Sequence, residues 1–287
     1  MTQFNRTRPH TLVMLLSLTV TLLSTMTAGA QDKSAYNLFN PTPTKLMRDL
    51  SADRPDGTES PYTVDAGRYQ IELSFIDYTR NDDNGVKTDS FTVFDTNIKA
   101  GLTHNMDLQI VFGTYVQEET DGPGTTETRD EGFSDIQLRL KINLWGNDGG
   151  ETAFGIMPFI KLPSSNDVSN DRVEGGIASM LAWNVAENWG LGFMTEFDAV
   201  YDENDNDYDF QFIHTLVLGF DVVGPVGAYV EYIGVLNTET DNDYQAIFST
   251  GITYAINNNL LLDVGTQIGL TQAADDMNMF TGLTWRF

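Results

Sequence analysis

Carboxylates and bases recur at alternate positions along stretches whose intervening residues are aliphatic or aromatic. Asp135, Arg139 and Lys141 alternate with Ile136, Leu138, Leu140 and Ile142, and Glu196 and Asp198 alternate with Phe193 and Phe197. Glu72, Asp95, Lys99, Glu231, Asp263 and Arg286 sit in the same kind of pattern. Collected on the inside of a narrow tube, opposed acids and bases would set up a transverse field that orders water and screens solutes by charge and dipole. The competing use is structural, with each charge held by a neighbour in a salt bridge across the wall. Arg48 and Arg54 lie in an aperiodic stretch ahead of these segments and are suited to pairing with luminal carboxylates.

Other chemistries are poorly supplied. The 287 residues contain no cysteine and three histidines (His10, His104 and His214), which excludes thiolate chemistry and makes a His-rich metal site untenable. Asp202–Asp209 places acidic or amide groups as a calcium loop would. It lacks the glycine at the sixth position and an acid at the twelfth, where Ile213 stands, so it reads as a solvated charge run. His214 lies in a strand-like segment on its apolar side. That placement would suit lipid hydrolysis, but no Gly-x-Ser-x-Gly elbow accompanies it, and an interfacial anchor is the simpler role. A balance of 16 Lys and Arg against 41 Asp and Glu gives a net charge of −25, which argues against nucleic acid as a partner. Neither a cofactor nor a resident metal is expected.

The elements that would position the charges are strands. Asp135–Leu144 alternates polar and aliphatic without a fault, and helical spacing would mix the two sets on every face. Ten residues at ~3.3 Å, tilted by ~45°, rise ~24 Å, close to the ~25 Å apolar band of an outer-membrane barrel. About twelve such segments follow Gly67, although the facing of those near 153–162, 176–185 and 244–256 is left open. Short connections, such as 103–106, 146–150, 186–188, 224–225 and 257–259, alternate with longer ones at 80–90, 118–132, 163–175, 202–209, 238–243 and 271–277. The longer set carries most of the acidic residues and few bases. The expected fold is an all-β, antiparallel up-and-down transmembrane β-barrel of about twelve strands, with short periplasmic turns and an anionic outer face. A soluble sandwich would need polar outward faces instead.

Both chain ends fit export to an outer membrane. Arg6, Arg8 and His10, the apolar run Leu12–Leu23 and Ala28-Gly29-Ala30 form a secretory signal over residues 1–30. Its twelve apolar residues span ~18 Å, too short for a ~30 Å hydrocarbon core. Residues 31–66 are polar and proline-bearing, an irregular periplasmic segment ahead of a barrel over 67–287. Two readings of it stay open: a loose periplasmic tail, or a segment part of which folds into the acidic lumen as a plug or gate. Trp285 and Phe287 close an amphipathic last strand of the kind presented to the barrel-insertion machinery.

Two stretches carry a family likeness. Leu46–Pro61 running into Val64–Glu72, and Gly132–Asp135 with Leu138–Gly146, resemble the MetA-pathway phenol-degradation, or "transporter", family of outer-membrane proteins. Lys161-Leu-Pro163, Tyr229-Val-Glu-Tyr232, Leu262-Asp-Val-Gly265 and Trp285-Arg-Phe287 fit as well. The resemblance implies an outer-membrane channel for aromatic or other hydrophobic compounds and assigns no residue roles. Expected partners are outer-membrane lipid, lipopolysaccharide (through cations bridging its phosphates to acidic loops), the insertion machinery and a small-molecule solute. The main alternative is a structural or adhesion barrel whose acidic loops meet partners outside the cell. An outer-membrane lipid hydrolase is the weaker one, and the chain is not expected to be an enzyme.

Overall fold

The structure, a computed structural model, describes residues 32–123, 127–202, 206–237 and 244–287. The expected signal over 1–30, the 238–243 connection and the middle of Asp202–Asp209 lie outside them.

Strands β1 (Tyr69–Asp83), β2 (Val86–Thr103) and β3 (Met106–Asp121) are followed by the short β4 (Thr128–Gly132) and β5 (Ile136–Trp145). Then come β6 (Thr152–Leu162), β7 (Glu174–Ala186), β8 (Trp189–Asp202) and β9 (Asp207–Val223). The last four are β10 (Val226–Asn237), β11 (Gln245–Asn257), β12 (Leu260–Gly269) and β13 (Met277–Arg286). Apart from β4 and β5, each pairs antiparallel with its sequence neighbours, and β13 returns to β1, so the sheet closes. β4 and β5 pair with the outer and inner halves of β3 respectively. They share one position in a twelve-strand wall, broken at Phe133–Asp135. Closure satisfies the edge hydrogen bonds that a bilayer could not.

The period-two pattern sets the facing. On β8, Leu191, Phe193 and Phe197 point outward, the last two 43% and 42% exposed, while Met194 and Asp198 are buried inside. A belt of large, half-exposed apolar side chains covers the outside, and such a surface is solvated by lipid rather than water. Trp145, Trp183, Trp189 and Trp285, all the tryptophans of the sequence, lie at the ends of strands beside the short turns. Three of them stack on phenylalanines (Phe154, Phe220 and Phe287). That ring marks one membrane–water interface, at the end of the barrel that carries the short turns.

Two expectations need correction. The connections at 80–90, 118–132 and 202–209 are largely strand: β1 and β2 pair as far as Asp83 and Val86 across Asn84-Gly85. Both turn residues have positive φ (54° and 87°), the conformation a tight Asn-Gly hairpin requires. Above the membrane both faces meet water, so alternation vanishes from the sequence although the hydrogen-bond ladder continues. The second correction concerns the open facings. β6, β7 and β11 turn Ala153, Gly155, Met157, Ala178, Met180 and Ser249 inward. Small and apolar inward residues give no contrast with an apolar outer face.

The β1–β13 register slips between Ser74 and Ile76, and at the same level the ladder skips Phe94 in both pairings of β2 while keeping register. Closure itself is tight: the amides of Tyr69 and Phe287 each donate to the other's carbonyl, at 3.2 and 2.9 Å, and the two rings stack at 5.9 Å. Deleting Phe287 removes this clasp together with the proposed insertion address. The fraction of chains reaching the compact, heat-modifiable form on gels should fall; an unchanged folded fraction would deny the clasp any role in assembly.

Candidate functional site

Residues 32–66 enter the barrel from its periplasmic end, with a single 3-10 turn at Thr44–Leu46 as their only helix. Lacking a ladder of its own, this segment satisfies its backbone on the wall: Val64 N donates to Asp107 (2.9 Å), Gly57 N to Glu231 (2.9 Å), and the Pro61 carbonyl accepts from Asn143 (2.9 Å). Its return past β2 depends on Gly101, where a Cβ would lie 2.1 Å from the Asp65 carbonyl oxygen. Gly67, at φ +67°, turns the chain out into β1.

A charge cluster occupies the centre. Lys141 Nζ lies 2.5 Å from Asp53, and Lys99 contacts Asp53 while reaching Glu72 at 2.5 Å. All four side chains are buried, and the Asp53 amide also donates to Glu72 (3.1 Å). Burial alone would raise the Asp53 carboxyl, but Lys141 and Lys99 outweigh it and hold the group well below the usual carboxylate range. Two buried ammonium groups each need a counter-charge, and the segment supplies the one they share.

Further pairs fix the segment around the circumference. Arg54 forks onto Asp263 at 2.7 and 3.1 Å and bonds Ser74 at 2.5 Å. Glu59 takes Arg139 at 2.6 Å, and Thr58 bonds Glu231 and Thr215, both at 2.6 Å. Arg48 does not reach a luminal carboxylate. It pairs with Asp65 (3.4 Å) in its own segment and with Asp148 (2.9 Å) in the β5–β6 turn, where Lys33 joins it at 2.6 Å. Arg286 meets no carboxylate either: it holds the Arg48 carbonyl (2.8 Å) and the Asn259 side chain (2.9 Å).

The remaining candidates lie nearer the outer mouth. Asp135 sits in the β4–β5 break, accepting from Ser164 at 2.9 Å and facing Lys161 at 3.6 Å, and Lys161 also pairs with Glu174. Asp95 and Arg139 line an outer cavity of about 290 Å³. Glu196 and Asp198 face inward on β8, and one Asp198 oxygen is buried with no hydrogen-bond partner among the described residues. On the periplasmic side a second cavity, of about 340 Å³, lies between the segment and β7–β10. Glu59 lines the inner cavity and Arg139 the outer, so their ion pair stands between the two. His214 faces lipid, its Nε2 3.0 Å from the Tyr244 hydroxyl and its ring stacked on Phe212.

With this arrangement in view, the sequence profile of the family described as "Putative MetA-pathway of phenol degradation" matches residues 52–287. The chain belongs to that family. The family match spans the Asp53–Ser60 stretch of the inserted segment as well as the whole wall. Among solved structures, the COG4313 outer membrane channel from Pseudomonas putida F1 is similar, with 11% identity and a TM-score of 0.61 over 83% of this chain and 100% of that one. The NanC porin is similar at 8% identity and a TM-score of 0.48, over 76% of this chain and 98% of the porin. At such identities the likeness is one of fold. No curated protein sequence matches the chain.

Sequence reasoning passed over Asp53, Glu59, Thr58, Asp107 and Lys161. The first three lie where no periodicity assigns a face; their only signal was the family-like stretch that contains them. Asp107 shares the polar face of its strand with Gln109, but its partner is a plug amide that no charge pattern announces, and Lys161 lies in a segment whose facing the sequence leaves open.

Two results follow from this geometry. Asp53→Ala leaves Lys99 with Glu72 alone and Lys141 with Glu59 alone, at 3.3 Å, a loss of about 3–5 kcal/mol for a buried ion pair broken on one side, read as a lower unfolding midpoint in detergent. At the mouth, Lys33 and Arg48 outweigh burial and lower the Asp148 carboxyl. A depressed acid stabilises above its unfolded value of 3.8 and loses that contribution as pH falls through the folded one. Trypsin at neutral pH should cut the Asp148→Asn variant within residues 33–48 faster than the parent, and pepsin should open the parent there only below about pH 4. Equal cleavage rates would mean that Asp148 does not hold the segment.

Proposed function

We propose that this protein is an outer-membrane channel for the passive passage of small molecules, aromatic or otherwise hydrophobic, and that residues 32–66 are its resident plug. The observation that carries the reading is the seating of one chain segment on charged and polar side chains of β1, β2, β5, β10 and β12 at once, across a lumen that keeps a cavity on either side of it. A merely structural barrel of this width could fill its interior with wall side chains. Here the filling is delivered by a separate segment, and space for a small solute is left beside it. The family supports the solute class, and the Pseudomonas putida structure, described as an outer membrane channel, supports the mode of action.

The luminal charges serve both uses raised by the sequence. Glu72, Lys99, Lys141, Glu231 and Asp263 hold the plug. Asp95, Glu196 and Asp198 have no partner in that segment and line the approach from outside, where they disfavour anions. Arg139 belongs to both groups, since it pairs with Glu59 yet faces the outer cavity.

Single-channel recording tests the plug. Removing residues 31–60, or combining Arg54→Ala with Glu59→Ala where the deletion lowers the yield of folded barrel, should raise conductance several-fold and make it noisier. Conductance equal to that of the parent in both variants would reduce the segment to a structural filler.

A further inference from the structure

The lumen has two unlike walls. On β1, β2, β3 and β5 the buried inward residues include Gln70, Glu72, Lys99, Gln109 and Lys141, every one hydrogen-bonded to the plug or to a neighbour. On β6–β9, inward of the carboxylates Glu174, Glu196 and Asp198 near the outer mouth, they are small or apolar. Running inward from the outer mouth, the β7–β8 rungs are Gly176 with Asp198, Ala178 with Glu196, Met180 with Met194, Ala182 with Gly192 and Asn184 with Gly190. Met157 on β6 stands opposite Ala178, and Ile213 on β9 opposite Glu196.

Met157, Met180 and Met194 are almost fully buried and pack with Ala178 and Ile213 into one cluster. This cluster reaches the plug. A Cβ placed on Gly155 would lie 3.3 Å from the Met180 methyl and 3.2 Å from the Pro61 carbonyl oxygen. The methionines therefore close the space between wall and plug one rung inside the Glu196 carboxylate.

Immediately inward of them lies the cavity of about 340 Å³. Gly190, Gly192, Gly219 and Gly227 line it beside Val217 and Asn184, with Asp56 and Glu59 of the plug at its other side. Gly190 and Gly219 face each other across the β8–β9 rung, and a Cβ on either would find nothing within 4 Å. Pro55, Thr58 and Tyr62 of the plug cover the slot, and Tyr229 stands at its side.

A solute moving along the polar wall would have to break the contacts of Lys99 and Lys141 with Asp53. Along the other wall the plug is tied by the Thr58–Thr215 hydrogen bond and flanked by the Arg139–Glu59 pair, and between these a solute meets thioether side chains, which have freely rotating bonds and no hydrogen bonds to lose. We infer that solute crosses on the glycine and methionine side, and that the glycine-lined cavity is a transit binding site for a flat, uncharged aromatic ring admitted by movement of the methionine layer. A glycine rung without side chains presents bare peptide planes, which suit a planar body. The cavity volume is near the lower end for small-molecule sites, enough for one or two rings. The carboxylates on the outer approach turn anions away before they reach it. This inference rests on the channel reading and locates the route within it.

The test uses uptake of N-phenyl-1-naphthylamine, a neutral aromatic dye, by cells with an intact lipopolysaccharide leaflet that express the full-length protein. Gly190→Leu and Gly219→Val extend side chains into open space, so both barrels should fold, which heat-modifiable migration checks. Dye entry should fall to the level of cells without the protein, whereas Met180→Ala combined with Met194→Ala should raise it several-fold. Parental dye entry no faster than in cells lacking the protein would overturn the channel reading itself. Parental entry that is rapid and unaltered in the folded glycine variants would leave the channel standing and overturn the slot. Unaltered entry in the methionine variant, with the glycine variants blocked, would overturn the layer's part in admission.

Discussion

Two lysines in the interior of a membrane barrel are the constraint on which the rest of this structure turns. Lys99 and Lys141 project from β2 and β5 into a lumen too narrow to hydrate them freely, and Glu72 is the one wall carboxylate in contact with either. Asp53 closes the balance from a different part of the chain. Because burying an unpaired charge costs far more than any single polar contact returns, the wall and the inserted segment cannot be optimised separately. The position of Asp53 then dictates that of its neighbours: Arg54 falls beside Asp263, Thr58 beside Glu231 and Glu59 beside Arg139.

This anchoring divides the lumen. Strands β1–β5 devote their inner face to holding a segment in place, and their side chains are engaged. Strands β6–β9 carry glycine, alanine and methionine at the same depth and engage it lightly. A tube of twelve strands thereby carries fixed polar structure over most of its inner wall and a narrower strip of soft apolar surface along β6–β9. On the proposed route a solute follows the join between the two rather than passing a ring of residues around a constriction.

The sequence declared some of this openly and hid the rest for physical reasons. Asp135–Leu144 announced a lipid-facing strand because its two faces meet opposite solvents, and the same parity set Glu72, Lys99, Lys141, Glu231 and Asp263 inward. Parity failed on β6, β7 and β11, where lipid on one side and methionine, glycine or alanine on the other give no contrast. That silence was itself informative, since it marked much of the apolar half of the lumen. It failed again on the outer hairpins, where both faces are wet. Asp53 and Glu59 were hidden differently: an inserted loop has no period, and the bases that its carboxylates meet lie 46 to 88 positions away. Arg48 shows how far residue type alone can mislead, since a guanidinium suited to a luminal acid found Asp65 and Asp148 at the mouth instead.

Arg286 is the penultimate residue of the chain, and it grips the Arg48 carbonyl and Asn259. The seat of the inserted segment is thus built from both ends of the polypeptide, with Gln70 and Glu72 on the first strand and Arg286 on the last. No complete seat exists until the final strand has paired with the first. Filling of the interior and sealing of the cylinder become one event in time, so the nascent barrel need never stand as an open hole in the membrane that receives it.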